Sequence, residues 1–90
     1  MPELELIRQG RHQDKDMFFC HFNHRAEGEI RVVVTEQTLS EFNKDFGCDD
    51  LVKICRYAAE EAVRAGLKGD IELVSQIYLA VKRRLRSDRT

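Results

Sequence analysis

The spacing of the apolar residues changes once along this chain, at Thr35, and this change constrains the fold more than any other feature. Before Thr35, three segments have the alternation or the β-branched and aromatic content of strands: residues 3–8 (ELELIR), 17–23 (MFFCHFN) and 29–35 (EIRVVVT). After Thr35, apolar residues recur every three or four positions, as they do on one side of a helix. The sequence therefore predicts strands followed by helices.

Three helices are predicted, over about 36–46, 49–65 and 70–86. Thr35 is a good N-cap for the first, and Gly47 can end it in a left-handed conformation. Gly66 ends the second in the same way, and Asp70 is the expected N-cap of the third. A short strand over residues 71–74 is the alternative at this last boundary, although the apolar stripe that continues to Leu85 favours a helix.

The predicted fold class is α+β: an N-terminal three-stranded antiparallel meander over about 3–35, followed by three helices, in a two-layer sandwich. Ninety residues are enough for one domain, which we place at 1–90. Apolar residues make up 42% and charged residues 34% of the chain, a composition typical of soluble globular proteins.

Several classes of function are disfavoured by what the sequence lacks. It contains no glycine-rich phosphate-binding motif and no nucleophile elbow, so we expect neither an enzyme nor a bound cofactor. The start of the chain has no apolar signal segment, and no apolar run approaches the roughly 20 residues that cross a bilayer. Three cysteines do not suggest a disulfide framework. We expect a cytoplasmic protein that does not bind a membrane.

A candidate metal site lies in Cys20-His21-Phe22-Asn23-His24, which offers a thiol and two imidazoles. In a strand, however, Cys20 and His21 point to opposite faces. His24 shares the Cys20 face but lies roughly 13 Å away along an extended strand. Cys20, His21 and His24 would coordinate one ion only if the turn brought His24 back, so the strand interpretation is preferred.

The basic C-terminal helix end, residues 82–90, is the candidate for nucleic-acid binding. Its cations are Lys82, Arg83, Arg84, Arg86 and Arg89. Clustered cations of this kind bind phosphates, but the same charges also complement the dipole at the end of a helix. Nucleic-acid binding is therefore the alternative hypothesis.

The second predicted strand is apolar on both of its faces, with Phe18 and Phe22 on one side and Phe19 on the other. A sheet covered by helices on one face only needs one apolar face. Either helices cover both faces of the sheet, or a second copy or another protein covers one of them. Association is the preferred interpretation, and Phe18, Phe19 and Phe22 are the candidate interface residues.

Overall fold

The computed structural model describes residues 3–12, 16–67, 69–73 and 77–88, and its first half is the expected antiparallel meander. Each strand pairs with the next one along the chain. The strands are β1 (Leu4–Arg11), β2 (Met17–His24) and β3 (Gly28–Thr35).

A fourth strand corrects the predicted three-stranded sheet. Residues Gly69–Glu72 form β4, which pairs in parallel with β3, so the sheet is mixed and its strand order is β1-β2-β3-β4. The predicted helix at 70–86 is wrong over its first turns, and Asp70 is a strand residue instead of a helix cap. The alternation of exposed Asp70, buried Ile71 and exposed Glu72 has the period of a strand. The local sequence is compatible with either a helix or a strand here, and pairing with β3 stabilises the strand.

The helices are α1 (Glu36–Phe46), α2 (Leu51–Arg64) and α3 (Tyr78–Asp88). The Thr35 side chain caps α1 by accepting a hydrogen bond from the Thr38 amide at 3.1 Å, and Gly47 ends α1 with φ 65°. The Asp50 carboxylate caps α2 through the Lys53 amide at 3.2 Å. The predicted ends of α1 are confirmed. The third helix begins only at Tyr78, while residues 74–76 of the predicted helix lie outside the described residues.

In the described part of the chain, the helices cover one face of the sheet and leave the other uncovered. Helix α2 contacts all four strands, while α3 packs against α2 and α1. The core between the layers takes alternate residues of each strand, which are completely or almost completely buried: Leu4, Cys20, Phe22, Ile30, Val32, Val34 and Ile71. Against them lie Ile54, Cys55 and the alanines of α2, so the α+β class and the two layers are as predicted.

Both edges of the sheet are poor sites for adding another strand. Strand β1 carries a bulge between Leu6 and Arg8, which interrupts the regular pairing pattern and leaves Ile7 50% exposed. Strand β4, at the other edge, is only four residues long. Bulges, charges and short edge strands all discourage pairing between sheets. Neither edge therefore offers a long, regular strand for pairing with another chain.

Candidate interaction surface

The face of the sheet opposite the helices, called the open face here, is organised as rows that run across the strands. The register places Gly10, Phe19, Val33 and Glu72 side by side in one row, which we call the apolar row. The next row, called the charged row, contains Arg8, His21, Arg31 and Asp70. Residues paired directly across strands share a face, so these two rows form the centre of the open face.

Phe19 is the largest apolar side chain on the open face. Its ring extends across Gly10, where an added Cβ would lie 3.3 Å from two ring carbons. The His12 ring lies 5.5 Å from it and the Arg8 guanidinium 5.8 Å, both measured to the ring centroid. Phe19 is nevertheless only half-buried, as are Met17 and Val33. An apolar patch that the Arg8 and His12 side chains partly cover therefore lies at the middle of the sheet.

The charged row has opposite signs at its two ends. Arg8, on the β1 edge, is exposed. Asp70, on the β4 edge, has a side chain that is 75% exposed and lies 3.8 Å from the Nε atom of Arg31. Between them, the His21 Nε2 atom is 3.4 Å from a Glu29 carboxylate oxygen. The charged row is therefore positive at its β1 end and negative at its β4 end, near Glu72, while the neighbouring row adds Glu5 on β1 and Glu29 on β3.

A cavity of about 220 Å³ opens on the negative side of this face. Its apolar lining residues are Met17, Val33 and Ile71, and its acidic lining residues are Asp70 and Glu72. Such a cavity suits a side chain with an apolar stem and a cationic end. Arginine has both.

The three phenylalanines predicted at an interface lie on different sides of the sheet. Phe22 is completely buried beneath the helices, with the Arg56 guanidinium 5.3 Å from its ring centroid. Phe18 lies on the same side, partly buried against the core, and the Arg11 guanidinium is 5.7 Å from its ring centroid. Of the three, Phe19 is the one on the open face.

The structure does not bring Cys20, His21 and His24 together. Cys20 is buried under the helices, and His21 lies on the open face. His24 is buried at the end of β2, where its Nδ1 atom accepts hydrogen bonds from the Ala26 and Glu27 amides at 3.1 and 3.0 Å. His24 thus stabilises the β2–β3 turn. Within the described ranges, no group of three or more His, Cys, Asp or Glu side chains is arranged to hold a metal ion.

A cavity of about 360 Å³ lies beside His24, between β1 and the end of α2. Glu3, Glu60 and Arg64 contribute to its lining, and the His24 Nε2 atom is 3.8 Å from a Glu3 carboxylate oxygen. The Nδ1 atom of His24 already accepts two backbone hydrogen bonds. The buried position of His24 is therefore explained by its role in the turn, without a ligand.

Cys20 and Cys55 form a buried thiol pair between β2 and α2 that the sequence did not predict. Both are completely buried, and the Cys20 Sγ atom is 4.0 Å from the Leu51 carbonyl oxygen, one helical turn before Cys55. The hydrogen bond between the two thiols lowers the pKa of Cys20 and, together with burial, raises that of Cys55. Cysteines far apart in sequence can be matched only when the packing of helix on sheet is known.

The basic C-terminal helix end is partly neutralised. The Arg84 guanidinium is 2.7 Å from a Glu60 carboxylate oxygen and 3.6 Å from one of Glu61, and it stacks 3.9 Å from the Tyr57 ring centroid. Lys82 lies over the Tyr78 ring, 5.2 Å from its centroid. Arg83 and Arg86 are exposed, and Arg89 lies outside the described residues. Of the predicted cations that the structure describes, Arg84 therefore has acidic partners, whereas Arg83 and Arg86 face solvent.

Comparisons with protein-family models, with curated proteins and with solved structures find no match to this chain. Of the helices in the described part of the chain, none has the length and apolar character needed to span a bilayer.

Sequence reasoning identified Phe19 but missed the acidic edge of the open face. Asp70 and Glu72 were assigned to a helix, so their alignment with Arg31 and Val33 could not be foreseen. The signal that would have found them is the polar-apolar alternation of Asp70, Ile71 and Glu72, which follows Gly66 and Gly69.

Proposed function

We propose that this protein is a non-enzymatic module that forms a homodimer through the open face of its sheet. The observation that carries the proposal is the half-buried state of Met17, Phe19 and Val33 on a face that the described helices leave uncovered. Apolar residues at the centre of a surface, with charges at its margins, are the usual composition of a protein interface. A second chain on this face would complete their burial.

A copy of the same chain is the occupant because the open face carries both signs of charge. Arg8 lies at one edge, and Asp70 with Glu72 at the other. A partner of one dominant charge would be attracted to one edge and repelled by the other. A face with the same two signs can satisfy both edges at once.

The size of the face indicates the strength of the association. Four strands about 4.8 Å apart and three rows about 6.8 Å apart cover about 19 Å by 20 Å, a footprint of about 400 Å² per copy. Stable interfaces commonly bury about 800 Å² of accessible surface per partner, so this face lies towards the weak end of the range. We expect a dissociation constant of roughly tens of micromolar.

A non-enzymatic role is supported by how the ionisable groups with perturbed pKa values are used. Perturbed groups gathered in a cleft would suggest catalysis. Here the Cys20–Cys55 pair is enclosed in the core, and Tyr57 donates a hydrogen bond to Asp88 at 2.5 Å between α2 and α3. Both sets of residues join one structural element to another. Asp88 and Lys53 also line a cavity of about 310 Å³, where they are paired with each other at 3.2 Å.

Nucleic-acid binding by the basic C-terminal helix end has less support. Arg84 is paired with Glu60 and Glu61, which removes one of the predicted phosphate contacts. Net charge points the same way, since the chain as a whole carries −1. Phosphate binding normally requires several cations without such partners.

Sedimentation velocity over about 1–300 µM chain, a range chosen to span micromolar affinity, tests the proposal. The wild type is expected to shift from monomer to dimer, and Phe19→Asp is expected to remain a folded monomer throughout. Leu79→Asp is the matched control, because Leu79 is a 70% exposed apolar residue on α3. Phe19→Thr, which keeps a strand-forming residue, serves if the aspartate prevents folding. A wild type that stays monomeric over the whole range would refute the proposal.

A further inference from the structure

We infer that the second copy binds with its strands running alongside those of the first, related by a twofold axis parallel to the strands between β2 and β3. In this arrangement β1 of each copy lies over β4 of the other, and β2 lies over β3. The inference rests on the proposed homodimer and specifies its geometry.

The choice of axis follows from how two sheets stack. Sheets packed face to face are about 10 Å apart, and their strand directions are commonly within about 30° of each other. A twofold axis in the plane between them runs either along the strands or across them. An axis along the strands exchanges the two edges of the sheet, whereas an axis across the strands places each strand over its own copy. These two arrangements make different contacts.

With the axis along the strands, the charged row complements itself. Arg8 of each copy lies over Asp70 of the other, and this contact occurs twice. In the middle of the row, Arg31 of one copy lies over His21 of the other. The Glu29 carboxylate lies 3.4 Å from His21 and can balance the charge of this arginine. Each cation of the row therefore has an anion within reach.

The apolar row also complements itself about this axis. Phe19 of each copy lies over Val33 of the other, because these residues are direct partners on the two central strands. Arg8 of the second copy lies above the cavity of about 220 Å³, where Met17 and Val33 can contact its aliphatic stem. The carboxylates of Asp70 and Glu72 at the same cavity suit its guanidinium.

The axis across the strands gives poorer contacts. If it passes through the charged row, Arg8 lies over Arg8 and Asp70 over Asp70. If it passes midway between the two rows, Asp70 lies over Glu72, and Arg31 lies over the apolar Val33. Like charges facing each other oppose association, so the electrostatics favour the axis along the strands.

Charge reversal at one residue on each edge tests the axis. Arg8→Glu alone places the new carboxylate over Asp70 at two contacts per dimer, and Asp70→Lys alone places the new ammonium group over Arg8 at two contacts. Each variant is expected to dimerise about 10- to 100-fold more weakly than the wild type, because two weak attractions become two repulsions. An equimolar mixture of the two variants is expected to form a heterodimer of nearly wild-type affinity. In that heterodimer the new carboxylate of one chain faces the new ammonium group of the other, and the unaltered Arg8 and Asp70 face each other.

The controls and outcomes separate this inference from the proposal on which it rests. Arg83→Glu and Asp49→Lys carry the same charge changes at exposed positions away from the sheet, and each is expected to dimerise like the wild type. Circular dichroism establishes that every variant is folded. If the wild type dimerises but the mixture of variants does not regain its affinity, the proposed axis is wrong and the homodimer is retained. The same conclusion follows if both single variants dimerise as tightly as the wild type. A monomeric wild type would remove both proposals.

Discussion

Two phenylalanines of the same strand provide the sharpest test of the two-faced sheet. Phe22 is completely buried beneath the helices, between its neighbours Leu6 and Ile30 on the adjacent strands. Phe19, three positions earlier, is half-buried on the open face. Replacement of each by alanine removes the same atoms, so any difference in the loss of stability arises from the surroundings.

Phe22→Ala is expected to lower the free energy of unfolding by about 3–5 kcal/mol, because it loses buried apolar area and also leaves a cavity. A chain of this length has a total of roughly 5–13 kcal/mol, so the loss is a large fraction of it. Phe19→Ala is expected to cost about 1–2 kcal/mol, since the vacated space opens to water and only part of the ring was buried. At an m-value of about 1 kcal/mol per molar urea, the two midpoints should differ by about 1–4 M.

Urea unfolding followed by circular dichroism at about 1 µM chain measures these values below the expected micromolar dissociation constant. At this concentration, the stability of the monomer is read without a contribution from the dimer. Phe19→Ala losing as much stability as Phe22→Ala would mean that Phe19 is enclosed within one chain. That result would refute the conclusion that the rest of the chain leaves this face of the sheet uncovered, and it would remove the argument for the dimer.

Two further predictions concern the ionisable groups between the elements. Hydrogen bonds from Tyr57 and Lys53 hold the pKa of Asp88 below its ordinary value of 3.8, while the pKa values of Tyr57 and Lys53 are raised, chiefly by hydrogen bonding to Asp88. Stability from Asp88 is therefore lost as the pH falls below about 4, and that from Tyr57 and Lys53 as it rises above about 10. In Asp88→Asn, the melting temperature should change less with pH than in the wild type, both below about pH 4 and above about pH 10. An unchanged dependence on pH would show that the interactions of Asp88 with Tyr57 and Lys53 do not contribute to stability. A thiol reagent should modify the partly exposed Cys48 well before the fully buried Cys20 and Cys55, as counted by intact mass; rapid modification of all three would contradict the buried pair.

The elements that could be predicted from the sequence are those whose signals are local. The alternation in the first 35 residues suffices for β1, β2 and β3, because adjacent antiparallel strands need only short turns. Thr35 and Gly47 identify the ends of α1, because capping depends on the conformation of one or two residues. The apolar residues on both faces of β2 were also visible in the local sequence, and Phe19 was among the interface candidates that they indicated.

Features that depend on distant pairing could not be predicted. Residues 70–72 fit both a helix stripe and a strand, and only the presence of β3 alongside them stabilises the strand. The acidic edge of the open face depends on the same pairing. Likewise, Cys20 and Cys55 share no local pattern, and they meet only because α2 packs across β2.

The parallel pairing of β4 has a consequence for how the molecule folds. Strands β1, β2 and β3 meet their partners through short turns, whereas Ile30 and Gly69 are about 40 positions apart, a separation that makes contacts slow to form. We expect β4 to join the sheet late, after α1 and α2 have formed, and to be among the first elements to exchange its amide hydrogens in the native state. Asp70 would then arrive at the surface at the end of folding. A newly made chain would present Arg8 before Asp70, so the proposed homodimer could form only after the fold of each chain is complete.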